Sequence, residues 1–128
     1  MLREGIVHQE EVLVTPKLTA KSFQSGGLNV LATPALISLM EKTAWKSVLP
    51  YMEKGFDTVG TFIEMHHLSP TKIGDKITCI SKLISINKKE LTFQIEAWDN
   101  HDQIGAATHK RFIINTLSFQ QKADKKST

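Results

Sequence analysis

The sequence predicts an α+β domain, a curved antiparallel sheet of five strands wrapped around one long central helix. Three observations lead there. Residues 33–49 carry apolar side chains at helical spacing between two prolines, Pro34 and Pro50. One strand-like segment precedes that stretch and four follow it, most of them bounded by turn-forming residues. The chain has 128 residues, which suits one core better than two.

Residues 11–20, EVLVTPKLTA, hold a short apolar alternation and read as the first strand, with Pro16 admissible at a sheet edge. Residues 21–29, KSFQSGGLN, read as a mobile loop able to close over something, because Ser25, Gly26, Gly27 and Asn29 favour turns. Thr33-Pro34 is a helix start signal: threonine caps, and proline fits the first helical position. Leu36, Leu39, Met40, Thr43, Ala44 and Ser47 then recur at spacings of three and four. Ile37 and Trp45 widen the apolar surface, and Pro50 ends the helix near Leu49. Segments 58–68, 76–86, 90–98 and 104–115 read as an antiparallel meander. The third is the clearest, with Leu91, Phe93, Ile95 and Ala97 on one face and Thr92, Gln94 and Glu96 on the other. Residues 117–128 form a polar tail expected to fray. The sheet's apolar face needs a cover, and the helix is the only candidate for it. Small sheets of this kind keep open edges, which favours a homodimer or a tetramer built from it.

The net charge of +3 invites a nucleic-acid reading, but its distribution argues against one. Three lysines, Lys122, Lys125 and Lys126, against one aspartate, Asp124, put +2 of that charge in the tail. The body carries no basic stripe with interleaved aromatics, so no nucleic-acid partner is expected. Cys79 is the sole cysteine, which rules out an internal disulfide and fits a reducing compartment. MLREGIVHQEEVLV places charges where an export signal needs an apolar run, and no stretch approaches the roughly 20 apolar residues of a membrane span. The expectation is a cytoplasmic protein without a membrane partner. His8, His101 and His109 are scattered, with no acid or cysteine at ligand-like spacing, so neither a metal site nor a cofactor is expected.

Several residues carry two readings each. Glu41 sits beside Lys42, as on a solvated helix stripe, yet is flanked by the apolar face at Met40 and Thr43-Ala44, where a half-buried carboxylate serves as a base. Thr33 is a helix cap, or a hydroxyl at the positive end of the helix dipole, where developing negative charge is stabilised. His66 and His67 point to opposite faces of an extended segment, so they cannot both serve one site. Gly60 inside a strand marks a bulge or the close passage of a ligand over bare backbone. Arg111 shares a strand face with His109 and is either surface charge or a bidentate anion binder. Cys79 in an apolar strand reads as inert packing. Thr33 and Glu41 are eight residues apart, about 12 Å along a helix, so their side chains cannot meet within it. For the two to act together, either substrate and water must bridge them or a two-fold interface must bring them together, and the interface is the favoured explanation.

LATPALISLMEKTAW, VGTFIEMHHLSPTKIGDKIT and LTFQIEAWDNHDQIGAATHKRFI together resemble the hotdog-fold acyl-CoA thioesterases of the fluoroacetyl-CoA thioesterase-like group, over roughly residues 11–115. The most specific pieces are Ala32-Thr33-Pro34, the glutamate eight residues after that threonine, VGT followed by HLSPT, and THKRF in the last strand. The resemblance implies a catalytic Thr33, Glu41 and His67, with Gly60 near the thioester and Arg111 near the acyl or CoA group. The fluoroacetate-specialised member carries an aromatic lid, whereas FQSGGLN offers only Phe23. A general short- or medium-chain acyl-CoA is therefore the expected substrate. Two rivals remain: a non-catalytic acyl-CoA binding module, and a dehydratase acting on hydroxyacyl thioesters, for which no second acid is placed.

Overall fold

The computed structural model describes residues 1–127. Strands β1 (Val7–Leu13), β2 (Phe56–His67), β3 (Lys76–Asn87), β4 (Glu90–Trp98) and β5 (Gln103–Asn115) form one antiparallel sheet in the order β1-β3-β4-β5-β2. Helices α1 (Ala20–Phe23), α2 (Thr33–Val48) and α3 (Thr116–Asp124) complete the chain, with short 3-10 turns at Pro16–Leu18 and Leu49–Tyr51. No helix among the described residues is long and apolar enough to cross a membrane.

α2 buries Ala35, Leu36, Leu39, Met40, Thr43, Ala44, Ser47 and Val48, which is the face the spacing marks out. It rests on the inner side of the sheet, against Ile77, Leu83, Leu91, Phe93, Ile95 and Ile104. Each such side chain contributes about 1.5–3 kcal/mol when withdrawn from water. At Gly105 a Cβ would lie 2.9 Å from Leu36 Cδ2 and 3.0 Å from Met40 Cε, so the bare backbone there lets the helix sit down on β5.

Three elements differ from the sequence expectation. The first strand spans Val7–Leu13, not residues 11–20. Pro16 opens a 3-10 turn, and Thr19 caps one turn of α1 by accepting from the Ser22 N–H at 3.2 Å. β1 is an edge strand with alternate residues exposed, so its polar start gives little apolar signal. Second, the four-strand meander is a three-strand one. β2 lies beside β5 at the far edge, and residues 68–75 carry the chain across to β3. That crossing passes the start of α2, where the Leu31 N–H donates to the Thr71 carbonyl at 2.9 Å. Third, the start of the polar tail expected to fray over residues 117–128 is helical in α3, whose N-cap Asn115 accepts from the Ser118 N–H at 3.0 Å. None of its residues is buried; the cap, and the Thr116 N–H and hydroxyl donating to the Gly55 carbonyl at 3.0 and 3.2 Å, hold its start. The topology leaves β2 with an unpaired edge and sets its final residue beside the N-terminus of α2.

Candidate active site

The first cluster forms where α2 begins. Ala32, not Thr33, is the N-cap: it is extended (φ −71°, ψ 140°) and no side chain caps the helix. Thr33 is the first helical residue, and its hydroxyl lies 2.8 Å from His67 Nδ1 instead. The capping role of Thr33 is thereby corrected: the proline that follows has no N–H to offer, and the hydroxyl turns to the imidazole. Burial pushes the His67 ring below the ordinary histidine range, against a backbone contact at Ser69. The ring is therefore uncharged at neutral pH and able to take a proton from a hydroxyl. Its Nε2 is buried and has no hydrogen-bond partner among the described residues. A cavity of about 370 Å³ opens beside the pair, lined by Val30, Leu31, Thr33, His67, Ser69 and Pro70. His66 points the other way and is exposed.

The second cluster lies two helical turns along α2. The half-buried Glu41 reaches Gly60 so closely that a Cβ added there would sit 2.8 Å from Glu41 Oε2. The same point is 3.2 Å from His109 Cε1 and 3.5 Å from Arg111 Nη1. Gly60 is not among the glycines with positive φ, so the close approach rather than backbone conformation requires it. The β2–β5 register also breaks between Gly60 and Phe62, so the bulge reading and the close-approach reading both hold.

Arg111 is 6% exposed, which corrects its reading as surface charge. Its Nε donates to Thr58 Oγ1 at 2.8 Å and its Nη2 to the Thr58 carbonyl at 2.9 Å. Its Nη1 lies 3.2 Å from Nε2 of His109, whose Nδ1 is 2.8 Å from the Phe62 carbonyl. Burial lowers the proton affinity of both the His109 imidazole and the Arg111 guanidinium, and the Glu41 carboxylate works in the opposite sense on each. The sequence assigns neither His109 nor Thr58 a role at this site. The signal available for His109 was its alternation with Arg111 on one strand face, since the neighbour of a buried arginine is itself buried.

One protomer thus brings Thr33 to His67, and Glu41 to Gly60 and Arg111, but keeps the two clusters apart. Gly60 and His67 stand seven residues apart on one extended strand, roughly 23 Å. Cys79 is fully buried and its thiol is pushed up to about 11 by burial, which suits packing and not nucleophilic attack. Among the described residues no group of three or more His, Cys, Asp or Glu could hold a metal ion.

The model of the family described as fluoroacetyl-CoA-specific thioesterase matches residues 14–117. The fluoroacetyl-CoA thioesterase of Streptantibioticus cattleyicolor is 33% identical over 98 residues, which cover 77% of this chain and 70% of that protein. A solved structure of the fluoroacetyl-CoA thioesterase FlK superposes with a TM-score of 0.95 at 28% identity, covering 100% of this chain and 99% of the other. A thioesterase superfamily member from Thermus thermophilus shares the fold at a TM-score of 0.90 and 23% identity, covering 98% of this chain and 93% of that one.

Proposed function

Because the chain belongs to the fluoroacetyl-CoA-specific thioesterase family and is a hotdog-fold acyl-CoA thioesterase, we propose that it hydrolyses a short- or medium-chain acyl-CoA to free acid and CoA at a site built by two protomers. The observation that carries this reading is the 2.8 Å contact of Thr33 with His67 at the mouth of a cavity. The buried, unpartnered Nε2 of that histidine adds the need for a further acceptor.

A homodimer supplies that acceptor. β2 has one free edge, with Phe62 48% exposed on it. Antiparallel pairing of two β2 edges about an axis near Ile63 and Glu64 sets His67 opposite Gly60 of the second copy. Glu41 of that copy, held against Gly60, then faces the imidazole and takes the Nε2 proton as a hydrogen bond. With Nε2 protonated, Nδ1 is bare and accepts the Thr33 hydroxyl proton.

In the reaction, Thr33 Oγ1 attacks the thioester carbonyl carbon as His67 Nδ1 takes its proton. The C–S bond breaks and CoA leaves as the thiol with that proton. Water then hydrolyses the acyl-threonine by the same base. The alternative route lets His67 and Glu41 activate water for direct attack. The start of α2 stabilises the oxyanion in either case. Gly60 and Arg111 line the acyl end. The only aromatic residue in segment 23–29 is Phe23, at the end of α1 and 43% exposed, which leaves the acyl end open to groups larger than fluoroacetyl. The lone, buried thiol of Cys79 suits the reducing cytoplasm.

A panel of acyl-CoA thioesters that includes fluoroacetyl-CoA tests the proposal through release of free CoA thiol. Turnover of short or medium chains is expected. Tight binding without thiol release would make the protein a binding module, and an unsaturated acyl product would make it a dehydratase.

A further inference from the structure

We propose that His109 is a positioning residue that, together with Thr58, holds the Arg111 guanidinium off Glu41 so that the carboxylate stays free for the reaction. The inference rests on the hydrolase reading above and extends it to a residue outside the Thr33, Glu41 and His67 group.

The hydrogen bonds fix the state of the ring. The Phe62 carbonyl, 2.8 Å from His109 Nδ1, can only accept, so Nδ1 carries a proton. Arg111, 3.2 Å from Nε2, can only donate, so Nε2 is bare. Both contacts hold together in a single form, the neutral ring with its proton on Nδ1. His109 is 1% exposed, and water cannot substitute for either partner without opening the fold.

The charged groups facing this ring are Glu41 from α2 and Arg111 from its own strand, with Asp57 of β2 acting on Arg111. A buried arginine beside a carboxylate ordinarily closes onto it in a two-pronged ion pair. Here three of the five N–H groups of Arg111 are committed, Nε and one on Nη2 to Thr58 and one on Nη1 to His109, and these three bonds set where the guanidinium lies. The guanidinium therefore stands at the side of the Gly60 gap, with Nη1 3.5 Å from the point where Glu41 Oε2 comes within 2.8 Å. Glu41 keeps its place in the gap, attracted by the positive charge but not locked to it. Loss of the Nε2 acceptor removes the bond that orients Nη1 toward His109, and the guanidinium can then pivot about its Thr58 bonds and turn Nη1 onto the carboxylate.

Two substitutions separate this role from simple packing. Asparagine reproduces the Nδ1 donor and lacks the Nε2 acceptor, whereas glutamine can set its side-chain oxygen where Nε2 stood. The expected result for His109→Asn is a fall in kcat of about 10²-fold with KM changed little, and a crystal structure in which Arg111 pairs directly with Glu41. His109→Gln is expected to keep the guanidinium in place and retain kcat within about fivefold of the parent. Equal loss in both variants, a change confined to KM, or an unmoved Arg111 in the asparagine structure would overturn the assignment. If the asparagine variant fails to fold, the glutamine variant decides: an intact Arg111 geometry with lost turnover counts against it. The crystallographic readout needs no activity, so failure of this inference is distinguishable from failure of the hydrolase reading, which would show as absent thiol release in the parent protein.

Discussion

Replacing Gly60 by alanine perturbs the proposed site through one added carbon. That Cβ would lie 2.8 Å from Glu41 Oε2, where ordinary contact begins near 3.4 Å, so the carboxylate must retreat by about 0.6 Å. The backbone raises no objection, because Gly60 does not adopt positive φ. The atom displaced is the far end of a flexible side chain, while His109 Cε1 at 3.2 Å and Arg111 Nη1 at 3.5 Å need to shift little or not at all. Stability should change little: relief of glycine's backbone entropy, about 0.5–1 kcal/mol, offsets the push on Glu41. Activity should not escape. Misplacing a catalytic group by a large fraction of an ångström reduces turnover by about 10²-fold, equivalent to about 2.7 kcal/mol of transition-state stabilisation. Thiol release from the best acyl-CoA gives kcat/KM, and a thermal melt gives stability. The expected pairing is a Tm within about 4 °C of the parent with kcat/KM down about 10²-fold. A variant of parental kcat/KM would show that neither Glu41 nor the gap at Gly60 takes part.

Thr33→Ala should cut kcat by about 10²–10⁴-fold while leaving the helix start intact, since Thr33 caps nothing; hydrolysis near the parental rate would assign attack to water instead. Stability should fall on acidification. His67 and His109 both titrate lower in the folded chain than the ordinary 6.5, so the unfolded chain binds more protons in that window. Their contribution is complete above about pH 6.5 and is lost as pH drops through the depressed values; a Tm that is flat or rising between about pH 7 and 5 would contradict it. Cys79, with its thiol pushed up to about 11, should react with a disulfide reagent at least about 10²-fold more slowly in the folded than in the unfolded protein, and fast labelling of the native chain would refute its burial.

The helix was legible because its apolar spacing and its two prolines are local facts; the face from Leu36 to Ser47 is the face the structure buries. Strand β4 was legible for the same reason, its Leu91–Ala97 alternation recording one wet and one dry side. The place of β2 was not. Whether a strand pairs with the next one or with the last is decided by how the sheet encloses α2, a long-range matter that alternation does not record. β1 was displaced because an edge strand with charged residues at Glu10 and Glu11 looks like a loop. At the site, residue types alone left Thr33, Glu41, Gly60 and Arg111 with two readings each, and the family resemblance selected them together with His67. His109 was legible as Arg111's neighbour on one strand face but not as its hydrogen-bond acceptor, and Thr58 was not legible because its hydroxyl serves an arginine 53 residues away.

Mixing two disabled variants tests most directly whether the site spans two protomers. Thr33→Ala and Glu41→Gln each disable both sites of their own homodimer. After unfolding and refolding an equimolar mixture, half of the dimers should be heterodimers, each with one intact site, so activity should return to about a quarter of the parental value. Thiol release that stays at the level of the separate variants, in a mixture whose heterodimer is verified by two different affinity tags, would contradict the shared site.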